Sequence, residues 1–99
     1  MYDYTGHVVR ATAGRDKGEV FCVVGMDQEQ ERLLLANGKR RKAARPKVKK
    51  LGHVQVLTAS EQEYDHPAIQ KLKQGEPVSD RELRRALAAF KEGITLGER

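Results

Sequence analysis

The residues of this chain whose types and spacing could do chemistry are cations. The run Lys39-Arg40-Arg41-Lys42-Ala43-Ala44-Arg45-Pro46-Lys47-Val48-Lys49-Lys50 holds eight Lys or Arg and no Asp or Glu. The chain on either side is slightly acidic, so the whole net charge of +5 arises in this run. Like charges at that density gain little by folding among themselves and gain much from a polyanion that neutralises them. Pro46 and Gly52 predict an extended path, suited to following a phosphate backbone. A shorter candidate is Gly14-Arg15-Asp16-Lys17-Gly18, a turn whose glycines permit positive φ and leave amides open to a ligand. Spacing alone also suits an ordinary hairpin turn. Its two cations, and its place at the end of the sheet that leads into the basic run, favour an anion contact. The chemistry on offer is charge-assisted hydrogen bonding to phosphate, and the rest of the chain is expected to hold these residues against RNA.

Other chemistries find little support. His7, His53 and His66 are far apart and have no cysteine pair at finger-like spacing, so no metal or cofactor is expected. His53, next to the basic run, is the one histidine placed to contact RNA. Cys22 lies in an apolar run and reads as a structural thiol. No Ser-His-Asp order, carboxylate pair or Walker-type loop is legible, and no enzymatic activity is expected. Three Tyr and two Phe are too few for a base-stacking platform, which points to backbone or shape recognition of structured RNA.

The elements that must position these residues are short. His7 to Ala13 reads as a strand, and Glu19-Val20-Phe21-Cys22-Val23-Val24-Gly25-Met26 as a strand covered on both faces. Asp27 to Glu31 is a hairpin connection, Arg32 to Ala36 a third strand, and Asn37-Gly38 a tight turn. Leu51 to Leu57 reads as a closing strand. Four or five strands in under sixty residues suggest a small half-open barrel. Asp65-His66-Pro67 offers a cap for a helix through Lys73 that buries Ala68, Ile69 and Leu72 and stops at Gly75. Ser79 and Glu82 form a capping box for a second helix that ends at Gly93. Its apolar face is Leu83, Ala86, Leu87 and Phe90, with Arg81, Arg84, Arg85 and Lys91 outside it.

With 99 residues the chain has room for one domain with a modest core. The expected division is a barrel over 1–58 that includes the basic loop 38–52, a linker over 59–65, and a helical extension over 66–99. One cysteine and no span-length apolar run or signal peptide predict a cytoplasmic protein without a membrane partner. The basic run lacks the interleaved apolar residues that insert into lipid.

Residues 8–24, from Val8-Val9-Arg10-Ala11 through Gly14-Arg15-Asp16-Lys17-Gly18 to Val20-Phe21-Cys22-Val23-Val24, resemble a KOW motif: apolar strand, Gly-Arg-x-x-Gly turn, apolar strand. The continuation from Asn37-Gly38-Lys39-Arg40-Arg41 to Arg45-Pro46-Lys47-Val48-Lys49-Lys50-Leu51-Gly52-His53 is similar to the small bacterial KOW-domain RNA-binding proteins, relatives of KOW-containing large-subunit ribosomal proteins. The resemblance covers about residues 6–57. It implies an SH3-like barrel that contacts ribosomal or other structured RNA, in a family that sometimes carries a helical tail. The expected whole is a mainly β, SH3-like half-open barrel with a C-terminal extension of two helices, a monomer whose partner is RNA of the large ribosomal subunit. Carried over by position, the RNA contacts it implies are Gly14, Arg15, Lys17 and Gly18, then Lys39, Arg40, Arg41, Arg45, Lys47, Lys49 and Lys50. Lys42 and His53 join them by proximity. Asn37 stands where the family usually has Asp, and Ala43 and Ala44 thin the run. KOW barrels also dock proteins in transcription elongation factors. The second helix would be the docking element here if its Leu83-Leu87-Phe90 face were exposed. A basic nucleoid- or membrane-associated protein is the third class.

Overall fold

In the computed structural model the described residues are 2–58 and 64–97, with side chains as far as residue 93. Five strands, β1 (Val8–Ala11), β2 (Val20–Asp27), β3 (Arg32–Ala36), β4 (Lys47–Lys50) and β5 (Val54–Val56), precede two helices, α1 (Pro67–Lys73) and α2 (Asp80–Gly97). The strands form one antiparallel sheet in the order β4-β3-β2-β1-β5, with β4 and β5 at its edges. The expectation of a β-rich unit followed by two helices holds at this level.

The continuous apolar pattern of β2 has the expected cause, since both of its faces are covered. Phe21 and Val23 point into one cluster with Val9, Ala11, Leu33 and Leu35, completed by Tyr4, Met26, Leu51, Val54 and Val56; among the described residues no side chain of α1 or α2 belongs to it. On that face residues of the sheet pack against one another, and β2 carries a register shift between Val23 and Gly25. Burying Phe21, Leu33 and Leu35 contributes about 1.5–3 kcal/mol apiece. The other face, through Val8, Cys22 and Ala36, meets Ile69 and Leu72 of α1 and Leu83, Leu87 and Phe90 of α2. The apolar face of α2, which would serve docking only if exposed, is therefore taken by the chain's own core, with Leu83 at 0%, Leu87 at 5% and Phe90 at 8% exposure. Burial pushes the Cys22 thiol up to about 12, as suits a packing residue.

Both helix starts follow from local sequence. His66 caps α1, its Nδ1 accepting from the Ala68 amide, while Pro67 fills the first position. In α2 the Glu82 amide donates to Ser79 Oγ and the Ser79 amide to Glu82 Oε1, both at 3.1 Å. Lys71 Nζ donates to Glu82 Oε2 at 2.7 Å and ties α1 to α2. That hydrogen bond, followed by the one from the Ser79 amide, lowers the Glu82 carboxyl to about 2.

Several boundaries differ from expectation, the first strand spanning Val8–Ala11 rather than His7 to Ala13. Lys47–Lys50 is a strand, although the basic segment was expected to be a loop as far as Gly52. The closing strand begins at Val54, because Leu51–His53 is a single 3-10 turn. The second helix runs through Gly93 to Gly97, since a glycine inside a helix costs about 1 kcal/mol relative to Ala but does not by itself stop it. Of the expected linker, residues 59–63 lie outside the described residues. Tyr64 packs its ring edge-on against Phe90 and donates to the Ala86 carbonyl at 2.8 Å. No helix among the described residues is long and apolar enough to cross a membrane.

Candidate nucleic-acid interface

The Gly14–Gly18 turn connects β1 to β2, and both glycines adopt positive φ (81° and 91°), as a tight turn of this sequence requires. Its amides are less available than expected. Lys17 N donates to the Gly14 carbonyl and Gly18 N to the Ala11 carbonyl, so the turn uses these donors on itself.

The residue that organises the site is Asp16, the single acid of the turn. Its side chain is 5% exposed, and Oδ2 accepts from Lys47 Nζ at 3.0 Å and from Arg41 Nη2 at 3.3 Å. Burial alone would raise this carboxyl. The hydrogen bond from Lys47 and the charge of Arg41 outweigh burial and hold it below the usual carboxylate range. One carboxylate thus joins the turn to two points of the basic segment, 25 and 31 positions further along the chain, and sets Arg15 and Lys17 beside that segment.

The basic segment is folded rather than extended between Asn37 and Pro46. Asn37 Oδ1 accepts from the amides of Lys39 and Arg41, while the amides of Asn37 and Gly38 donate to the Arg41 carbonyl. A second turn follows, with Arg45 N donating to the Lys42 carbonyl. The loop is then anchored on α2: Ala43 N donates to Asp80 Oδ1 at 2.7 Å, and Arg84 Nη1 to the Gly38 carbonyl at 2.7 Å. Mutual repulsion is offset by acids and acceptors that come from distant parts of the chain.

In β4 the two-residue alternation of a strand turns Lys47 and Lys49 towards the turn and Val48 and Lys50 away from it. Lys49 is only 7% exposed, and its Nζ donates to the Ala13 carbonyl at 2.7 Å. A side chain on Gly14 would meet that Nζ at 3.2 Å, so the bare glycine leaves it room.

The expected site residues therefore fall into two sets. Arg41 and Lys47 are half-buried around Asp16, and Lys49 is buried under the turn, so all three are occupied in holding the fold. Arg15, Lys17, Lys39, Arg40, Lys42, Arg45, Lys50 and His53 are exposed. Of these, Arg40 lies 3.9 Å from Glu19 with its side chain 78% exposed, and Lys42 Nζ reaches the Gly38 carbonyl at 3.5 Å. His53 joins the same end of the sheet, its carbonyl accepting from Thr12 N. His7 lies apart, bonded to Thr58 and Tyr2, and no group of three or more His, Cys, Asp or Glu among the described residues could hold a metal ion.

Sequence reasoning passed over Asp16, Asp80 and Arg84. A lone acid in an otherwise cationic turn was a usable signal for Asp16; nothing local marks Arg84 as the anchor of a carbonyl 46 positions away. The exposed set offers charge-assisted hydrogen bonds to an anion broad enough to meet several of them at once. No protein-family model matches the chain, and comparison with curated proteins finds no match.

Proposed function

We propose that this protein binds structured RNA through the phosphate backbone, as a KOW-type module on an SH3-like half-open barrel, working in the cytoplasm with the large ribosomal subunit as its partner. The observation that carries this reading is that Asp16 binds both Arg41 and Lys47 and so fastens the turn that bears Arg15 and Lys17 to the basic segment. The connectivity supports the barrel, since four strands run as an antiparallel meander and the fifth returns to pair with the first, as a small half-open barrel needs. Folding the loop onto α2 supports backbone recognition, because cations held in place lose less entropy on meeting phosphates than those of a free chain. Nothing favours docking of a protein on the apolar face of α2, which the sheet already covers.

The proposal separates cations that grip from cations that hold. Replacing Arg15, Arg40 and Arg45 together with Ala is expected to leave thermal stability nearly unchanged and to weaken binding of several unrelated RNA hairpins to a similar degree, by about 10–100-fold, because phosphate contacts position the protein without reading sequence. Binding titrations on such hairpins measure this. Unchanged affinity in the triple variant overturns the reading, and equal affinity for duplex DNA moves it to a nucleoid protein.

A further inference from the structure

Two positions along the strands from Val8 and Cys22, on the same face of the sheet, Arg10 stands opposite Val20. The Val8–Cys22 level lies under the helices, whereas at the Arg10–Val20 level a cleft of about 430 Å³ remains. Its apolar surface comes from Val20, Leu57 and Phe90, and cations come from three separate elements: Arg10 of β1, Lys39 of the basic loop and Lys91 of α2. Glu19 also lines it, with Oε2 enclosed and Oε1 3.9 Å from Arg40 Nη1.

We propose that this cleft takes one unstacked nucleotide of the bound RNA, the base against Val20, Leu57 and Phe90 and the phosphate among Arg10, Lys39 and Lys91. The inference rests on the RNA-binding reading and adds to it a place where an unpaired residue is preferred over a paired one. Three points support it. The size suits a small ligand of mixed polarity. An apolar floor with a cationic rim matches the two ends of a nucleotide, where a bare phosphate would have no use for the floor and a lipid tail none for the rim. The cleft is also continuous with the exposed basic surface, because Lys39 and Gly18 belong to both.

The experiment compares two RNA hairpins that differ by one bulged nucleotide, titrated into the full-length chain and its Arg10→Ala and Arg10→Lys variants, alongside NMR titration with adenosine 5′-monophosphate. Arg10 is exposed and lies outside the gripping set, so its replacement is expected to leave the fold intact. The expected result is a preference of about fivefold for the bulged hairpin. Arg10→Ala removes that preference with little change for the paired hairpin, Arg10→Lys retains it, and the mononucleotide shifts the amides of Val20, Leu57 and Phe90. Equal affinity for the two hairpins with those amides unmoved overturns the cleft and leaves the phosphate-gripping surface standing. A preference that survives Arg10→Ala places the unpaired nucleotide elsewhere and overturns it as well. Failure to bind either hairpin removes the RNA-binding reading itself.

Discussion

Asp16→Asn is expected to lower the stability of the folded chain by about 2–3 kcal/mol at neutral pH. Removing one partner of a buried ion pair costs about 3–5 kcal/mol. Here the side chains left behind, Arg41 and Lys47, are 35% and 27% exposed and recover some hydration, so the lower figure applies. In a domain of this size that loss lowers the melting temperature by about 10–20 °C. The pH dependence has a definite sign. The Asp16 carboxyl is held below its ordinary value in the folded state, so its contribution is complete above the unfolded value of about 4 and is lost as the pH falls through the lower, folded value. Thermal melts of the two proteins should differ widely at neutral pH and converge in acid. The same substitution frees two cations beside the exposed set, so an added polyanion should restore more stability to the variant than to the parent chain. Equal melting temperatures at neutral pH would show that Asp16 does not hold the segment.

Gly38→Ala is expected to be still more damaging, with a loss of about 3 kcal/mol or more, a large part of what a small domain has. A Cβ at Gly38 would lie 2.2 Å from the Asp80 carbonyl oxygen and 3.0 Å from Arg84 Cγ, and φ is +77°, where an L side chain is strained. The obstacle is helix backbone rather than a side-chain tip, so the loop or the first turn of α2 has to move. Moving either one breaks the bonds from Arg84 to the Gly38 carbonyl and from Ala43 to Asp80. Gly52→Ala is the control. Nothing lies within 4 Å of its Cβ and its φ is not positive, so the change should stay within about 0.5 kcal/mol. Circular dichroism melts of both variants test this, and a Gly38→Ala protein as stable as Gly52→Ala contradicts the packing of loop on helix.

Much of the fold was legible because its signals are local. The capping box of Ser79 and Glu82 and the spacing of Leu83, Ala86, Leu87 and Phe90 each lie within a few residues of one another and appear as expected, whereas the tight turn expected at Asn37-Gly38 is instead the start of a loop over 37–46, with positive φ at Gly38 alone of the two. Strand β4 was not legible, because Lys47-Val48-Lys49-Lys50 has one apolar residue and belongs to an edge, where pairing with β3 rather than burial makes the strand. The site was legible as a composition but not as a division of labour. Charge density marks Lys39 to Lys50 as one block. Which of its cations remain exposed depends on Asp16, on the Ala13 carbonyl and on α2, partners 25 to 46 positions away that no local pattern announces.

The central claim is that the exposed half of this basic segment, together with the turn, grips RNA phosphates. It is tested most directly by the affinity of the full-length chain for a structured RNA hairpin across a range of monovalent salt. Neutralising four to six phosphates predicts a slope of log affinity against log salt of about −3 to −5, at ~0.7–0.9 per contact. A slope near zero, with affinity intact at high salt, would contradict it.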